Sequence, residues 1–171
     1  ASHAADGYAR ATGKTGVCIA TSGPGAMNLL TAIADARSDS IPLVAITGQV
    51  NTSLIGTDAF QEADTFGLSF PITKHSILVK SAKDLLTAIP QAFAIASSGR
   101  CGPVLVDVPR DVQLEKITFE SWPECGIKDN HSARFRTVGQ DFANAVSESA
   151  KMLINSKKPA IYVGGGCNSK Q

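Results

Sequence analysis

Several features that mark a specialised chain are scarce here. Of 171 residues only 6% are aromatic, with a single Trp, and only two are Met. Sixteen Lys and Arg face fifteen Asp and Glu, for a formal charge of +1. That balance excludes the basic stripe of a nucleic-acid binder and the polybasic patch of a membrane-surface binder. No apolar run approaches the roughly 20 residues that span a bilayer. The four cysteines, Cys18, Cys101, Cys125 and Cys167, form no C-x-x-C pair, so neither a zinc site nor a redox motif is expected. They read as reduced thiols, with Cys18 acting as a small hydrophobe in a strand. His3, His75 and His131 assemble no Ser/His/Asp or metal-ligand grouping, and no metal ligand is assigned in this chain. The segment Ala1–Arg10 looks like the middle of a helix without a cap, and it lacks the basic and apolar regions of a signal peptide. With no initiator Met and an end just after Gly164–Gly166, the expected reading is a piece of a longer protein.

What is present is an alternation of apolar strands and amphipathic helices. Strands are expected at Val17–Ala20, Pro42–Thr47, Ser76–Val79 and Pro103–Val108. Helices are expected at Ala26–Ala36 and at Asp84–Ala96, the latter kinked at Pro90 and stopped at Gly99. Asn51–Gly56 reads as a loop, and Asp58–Asp64 as a short helix or turn. Such an order predicts an α/β fold with a parallel sheet flanked by helices on both faces. After Pro109 the texture turns polar and broken, with Pro123, Gly126 and Asn130, as in a linker. A new unit then opens with a helix over Asp141–Asn155, showing Ala145, Ser149, Met152 and Leu153 on one face, and a strand at Ala160–Val163. The expected division is 1–112, a linker at 113–135, and 136–171.

Three segments carry chemistry. Thr21-Ser22-Gly23-Pro24-Gly25-Ala26-Met27-Asn28 follows a strand and opens a helix, placing hydroxyls, an amide and backbone N–H groups at a strand's C-terminal edge. Small ligands bind at that edge in open α/β sheets; the alternative is a tight turn whose glycines only permit close packing. Asp58-Ala59-Phe60-Gln61-Glu62 suits the mouth of a site, or else a solvated helix start with Asp58 near the cap. Gly164-Gly165-Gly166 after a strand allows backbone approach to a phosphate or ring, or is an ordinary turn.

Longer motifs, in order, carry a family resemblance. They are Ala4-Ala5-Asp6-Gly7-Tyr8-Ala9-Arg10, Thr21 to Ala26, Thr47-Gly48-Gln49-Val50, Ile55 to Glu62, Thr73-Lys74-His75-Ser76, Ser98-Gly99-Arg100 and Gly102 to Pro109. This sequence resembles the catalytic large subunit of acetolactate synthase, from Ala1 to about Val112 and again, weakly, at Pro159 to Cys167. The resemblance implies most of a pyrimidine-binding domain for thiamine diphosphate, then the start of a Rossmann-like middle domain. It implies condensation of two pyruvates, or of pyruvate with 2-ketobutyrate, with loss of CO₂. It further implies thiamine diphosphate, Mg²⁺ held by residues outside this chain, and FAD, in a homodimer or higher oligomer with a possible regulatory small subunit. No nucleic acid or membrane partner is implied, and the location would be the bacterial cytoplasm or a eukaryotic organelle.

By the same resemblance Thr21, Pro24 and Asn28 lie along the aminopyrimidine, Gln61 reaches toward the reaction centre, and Phe60 forms the pocket wall. Arg100 and Gly164, Gly165 and Gly166 would contact FAD. The family's Glu beside the pyrimidine would precede Ala1, and its Gly-Asp-Gly segment does not occur here. The Gly56-to-Glu62 pattern favours the FAD-bearing biosynthetic type over catabolic relatives. Two positions depart from the family: Arg110 stands where many members have Lys, and Asn51 where many have Pro, both on the substrate channel where herbicides bind. The alternatives are another thiamine-diphosphate carboligase or decarboxylase, such as glyoxylate carboligase, and a non-catalytic homologue.

Overall fold

A computed structural model describes residues 1–123 and 140–167. Cys125, His131 and most of the expected linker lie outside those residues. The chain divides into two compact units, Ala1–Asp129 and Asn130–Gln171.

The first unit is built on four strands, β1 (Gly16–Ala20), β2 (Leu43–Gln49), β3 (His75–Leu78) and β4 (Pro103–Pro109). All three pairings are parallel, in the order β1-β2-β4-β3. Parallel neighbours need crossovers, and helices supply them: α2 (Pro24–Met27), α3 (Leu30–Asp39), α4 (Thr65–Ser69) and α5 (Leu85–Ser97); α1 (Ser2–Thr12) precedes β1 and α6 (Arg110–Leu114) follows β4. Alternate residues of the central strands feed two cores. On one face Val44, Val104 and Val106 pack with Ala88, Ala92 and Ala96 of α5. On the other, Leu43, Ala45 and Leu105 pack with Ala5 of α1 and with Ile33 and Ala36 of α3. Small residues on the helices let them lie close to the sheet. At Gly16 the approach is closest: a Cβ there would overlap the Ala5 carbonyl. Arg10 of α1 also bridges to Asp35 and Asp39 of α3 and pairs with Asp6 on its own helix.

The parallel sheet and its flanking helices agree with expectation, and three local readings change. The single helix expected over Ala26–Ala36 is two, because the chain tightens at Asn28 and Leu29: the Leu29 N–H reaches Ala26 O, three residues back. The first strand is half covered. Cys18 is buried, with burial pushing its thiol pKa up, whereas Val17 and Ile19 are 46% and 68% exposed. β1 is an edge strand of the described sheet, and α1 covers only one of its faces. Finally, no strand forms at Ala160–Val163. A strand needs a partner for its backbone groups, and the second unit has none among its described residues.

That second unit is described from α7 (Gln140–Asn155), whose extent matches the expected helix, to the short 3₁₀ turn Gly165–Cys167. Met152 and Leu153, on the expected apolar face of α7, are exposed.

Candidate functional site

The C-terminal ends of β1, β2 and β4 open into a cavity of about 840 Å³. Loops that leave these strands build its walls. Thr21 and Ser22 follow β1; Gly48, Gln49, Val50 and Asn51 end β2; Arg110 and Gln113 follow β4; Leu85 and Ile89 of α5 add an apolar side. The loop between β2 and α4 contributes Leu54, Phe60 and Gln61. Such a size and mix of apolar wall and few polar groups suits a small organic ligand.

The loop carrying Phe60 and Gln61 is held from several directions. Inside it, the Glu62 carboxylate accepts from the N–H groups of Gly56, Thr57 and Ala59, at 3.2 Å and 3.0 Å for the last two. Those bonds lower the Glu62 pKa below the ordinary carboxylate value. At its end, Asp64 caps α4 by accepting from Gly67 N at 2.8 Å. Beneath it lies Gly23, with φ 59° and ψ −123°. A Cβ at Gly23 would stand 2.6 Å from Gln61 O. Gln61 itself has φ 60° and Asp58 φ 54°, both in the left-handed region that non-glycine residues rarely occupy. The bends these angles make leave Phe60 89% exposed at the cavity rim, and the Gln61 amide makes no hydrogen bond among the described residues.

Asn51 is held from the other side. The Asp111 carboxylate accepts from Thr52 N at 3.1 Å and from the Thr52 hydroxyl, fixing the turn that starts at Asn51. These bonds lower the Asp111 pKa. Arg110, at the first position of α6, supplies a positive charge to the wall and makes no ion pair among the described residues.

Behind Thr47 and Gln49 of the cavity wall a buried carboxylate joins β2 to β4. Thr47 and Asp107 are register partners, and the Thr47 hydroxyl donates to Asp107 Oδ1 at 2.7 Å. Gln49 Nε2 donates to Asp107 Oδ2 at 3.1 Å and to Ala63 O at 2.8 Å. Desolvation by burial is the main cause that raises the Asp107 pKa from 3.8 to about 6, and the two side-chain hydrogen bonds oppose it. The folded chain therefore keeps this proton to about pH 6, whereas the unfolded chain releases it near 3.8. Between those values the fold binds more protons, so the stability this residue contributes falls as pH rises from about 4 to about 6. Asp107→Asn removes that dependence. The stability difference between variant and parent is expected to move by roughly 2 kcal/mol in the variant's favour from pH 4 to pH 7. Urea unfolding of both forms at the two pH values checks it; a constant difference would mean that Asp107 titrates as an ordinary surface carboxylate.

Of the residues singled out from sequence, the cavity brings together Thr21, Asn51, Phe60, Gln61 and Arg110. Pro24 opens α2 and Asn28 ends it; both are exposed and neither lines the cavity. Arg100 precedes β4, at the other end of the strand from Arg110. Its guanidinium donates to Ser40 Oγ at 2.8 Å and to Ser38 O at 3.3 Å. Gly164, Gly165 and Gly166 belong to the second unit, where a Cβ at any of them would meet open space. His75 is exposed at the start of β3. Sequence reasoning gave no role to Thr47, Gln49 or Asp107. The available signal was a lone acid inside the apolar run Pro103–Pro109, since a buried carboxylate must find partners. Among the described residues no cluster of His, Cys, Asp or Glu could hold a metal ion, and no helix is long and apolar enough to cross a membrane.

A parallel sheet whose strand ends frame a cavity agrees with the family model that matches residues 1–68, the thiamine pyrophosphate enzyme N-terminal TPP binding domain. Residues 1–68 are thus similar to the cofactor-binding domain of thiamine pyrophosphate enzymes. Along nearly its whole length the chain is similar to acetolactate synthase large subunits. It is 51% identical over 97% of its length to that of Corynebacterium glutamicum, and 50% over 97% to that of Cyanidium caldarium. It is also 55% identical over 100% to the isozyme 2 large subunit of Escherichia coli. The resemblance carried by the motifs is borne out. The chain spans 26%, 28% and 30% of these three relatives.

Proposed function

We propose that the protein containing this chain is an acetolactate synthase of the biosynthetic type, joining two pyruvates, or pyruvate and 2-ketobutyrate, with loss of CO₂. The observation that supports this reading best is the meeting of three motif loops at one cavity, faced by a Gln61 amide without a hydrogen bond and an Arg110 without an ion pair among the described residues. The residues suit thiamine diphosphate. Gly23 lets the turn after β1 lie against the backbone of Gln61, where a side chain would not fit, so both loops can flank one ring. When bound, that cofactor supplies the electron sink for decarboxylation and carbon–carbon bond formation. Thr21, Ser22 and their backbone offer polar contacts along one edge. Gln61 offers an amide that can donate to a keto-acid oxygen as charge builds on it. Arg110 attracts the carboxylate of a keto acid entering the cavity, with a planar fork where a Lys would bring a point charge. Exposed Phe60 and apolar Leu54, Leu85 and Ile89 restrict water.

Mg²⁺, FAD, a homodimer or larger oligomer, and a regulatory small subunit belong to the same proposal. For Mg²⁺ the described residues offer no ligand cluster, so no step runs through it. FAD rests on Arg100 and Gly164–Gly166 by resemblance, and it supplies no redox step. The test is the product. The whole enzyme, given pyruvate, thiamine diphosphate and Mg²⁺, is expected to release acetolactate. Carboligation of glyoxylate in its place would favour the glyoxylate carboligase reading, and no product from either would favour a non-catalytic homologue.

Asn51 makes a further prediction. Its φ of −55° already suits proline, and its N–H makes no hydrogen bond among the described residues. Asn51→Pro should therefore be tolerated and present an apolar ring at the cavity wall. Burial of a ring-sized patch is worth roughly 1–2 kcal/mol at about 25 cal/mol per Å², or about tenfold in affinity. The parent enzyme is expected to resist sulfonylurea-type inhibitors and the variant to bind them about tenfold more tightly, with KM for pyruvate nearly unchanged. Equal dose–response curves would place residue 51 away from the inhibitor.

A further inference from the structure

Among the described residues one side chain ties the pocket loop to the sheet by a hydrogen bond, and that side chain is oriented by a buried acid. Gln49 Nε2 reaches Ala63 O at 2.8 Å, two residues after Gln61, and also Asp107 Oδ2 at 3.1 Å. Its Oε1 accepts from Val50 N at 2.9 Å. These three bonds leave the amide a single orientation. Flipping it would set Oε1 against two acceptors, Ala63 O and the Asp107 carboxylate, and Nε2 against a donor, Val50 N. Asp107 is in turn fixed by the Thr47 hydroxyl at 2.7 Å. Thr47, Gln49 and Asp107 are 0%, 5% and 1% exposed, so water cannot replace a lost partner at low cost.

We infer that Gln49, oriented by Asp107 and Thr47, is a positioning residue: it holds the Asp58–Asp64 loop to the end of β2 and so keeps Gln61 in its left-handed, cavity-facing conformation. Gln61 and Asp58 at positive φ are strained in isolation and persist only when their surroundings over-determine them. The bonds that Glu62 accepts lie inside the loop and cannot fix it to the sheet. Asp64 ties the loop only to the next helix. Gly23 removes an obstacle beneath Gln61 and contributes no hydrogen bond to it. Gln49 is the side chain of β2 whose hydrogen bond to the loop backbone joins strand to loop.

Gln49→Met keeps length and volume and removes the donor. The catalytic half of the test rests on the acetolactate synthase reading; the exchange half does not. In the whole enzyme, amide hydrogen exchange at Gly56, Thr57 and Ala59, whose N–H groups Glu62 holds, is expected to quicken at least about tenfold while the β2–β4 ladder changes little, the mark of local opening. Turnover should fall with KM for pyruvate nearly unchanged. The double variant Gln49→Met/Gln61→Ala should be no slower than Gln61→Ala alone, because Gln49 acts through Gln61. If Gln49→Met does not fold, Thr47→Val is measured in the same way and should shift the same amides to a smaller extent. Uniform exchange changes across the first unit would overturn the proposal by reducing Gln49 to a general stabiliser. A loosened loop with full turnover, or multiplying effects in the double variant, would overturn the positioning role while leaving the acetolactate synthase reading intact.

Discussion

Replacing Gln61 with alanine is expected to lower kcat between about 10-fold and 1000-fold while leaving thiamine diphosphate affinity nearly unchanged. The amide has no hydrogen bond among the described residues, lines the cavity, and is held by a backbone at φ 60°. A group kept free at the cost of left-handed strain is available to a ligand rather than to the fold. Its hydrogen bond then counts most where charge develops, in the transition state, and its loss appears in kcat. Gln61→Gly sharpens the test: it relieves the strain and should raise the unfolding midpoint slightly, yet lose the same turnover. Full kcat with weakened cofactor binding would assign Gln61 to binding alone.

Gly23→Ala should be the most damaging single-methyl change at the site. The new Cβ would lie 2.6 Å from Gln61 O and 3.0 Å from Gln61 C and Cα, all backbone atoms of the pocket loop. The angles φ 59° and ψ −123° add a conformational penalty that no L-residue avoids. A cost of about 2–4 kcal/mol is expected from strain and overlap together, with turnover lost because the loop bearing Phe60 and Gln61 must move away. Denaturant midpoint and kcat measured on the same preparation check both. A variant with the parental midpoint and kcat would mean that the two loops do not pack as described.

Much of the frame was legible because its signals are local. Apolar runs at Val17–Ala20 and Pro103–Val108, bounded by Gly and Pro, name strands on their own, and their separation by helices names a parallel sheet. Of the residues that line the cavity, Thr21 was singled out because it follows one such run, whereas Gln61 was singled out by the family resemblance of its motif. What sequence could not show depends on partners distant along the chain. Thr47 and Asp107 are sixty residues apart and meet only through the β2–β4 register. The exposure of Val17 and Ile19 follows from β1 lying at the edge of the described sheet. Ile161, Tyr162 and Val163 look like a strand but are exposed, at 74%, 101% and 65%, with no neighbouring strand in the second unit among the described residues. Arg100 and Arg110 are close in sequence, and only the length of β4 between them puts them at opposite ends of the sheet.

On the proposed function, the cofactor's ring and the keto acid meet in the cavity at the ends of β1, β2 and β4. A crystal structure of the whole enzyme with thiamine diphosphate bound is the decisive measurement. The ring system is expected beside the Thr21–Gly25 turn, with the Gln61 amide facing its reactive side and Arg110 at the open end. A cofactor bound elsewhere, with the loop of Phe60 and Gln61 making no approach to it, would contradict that placement.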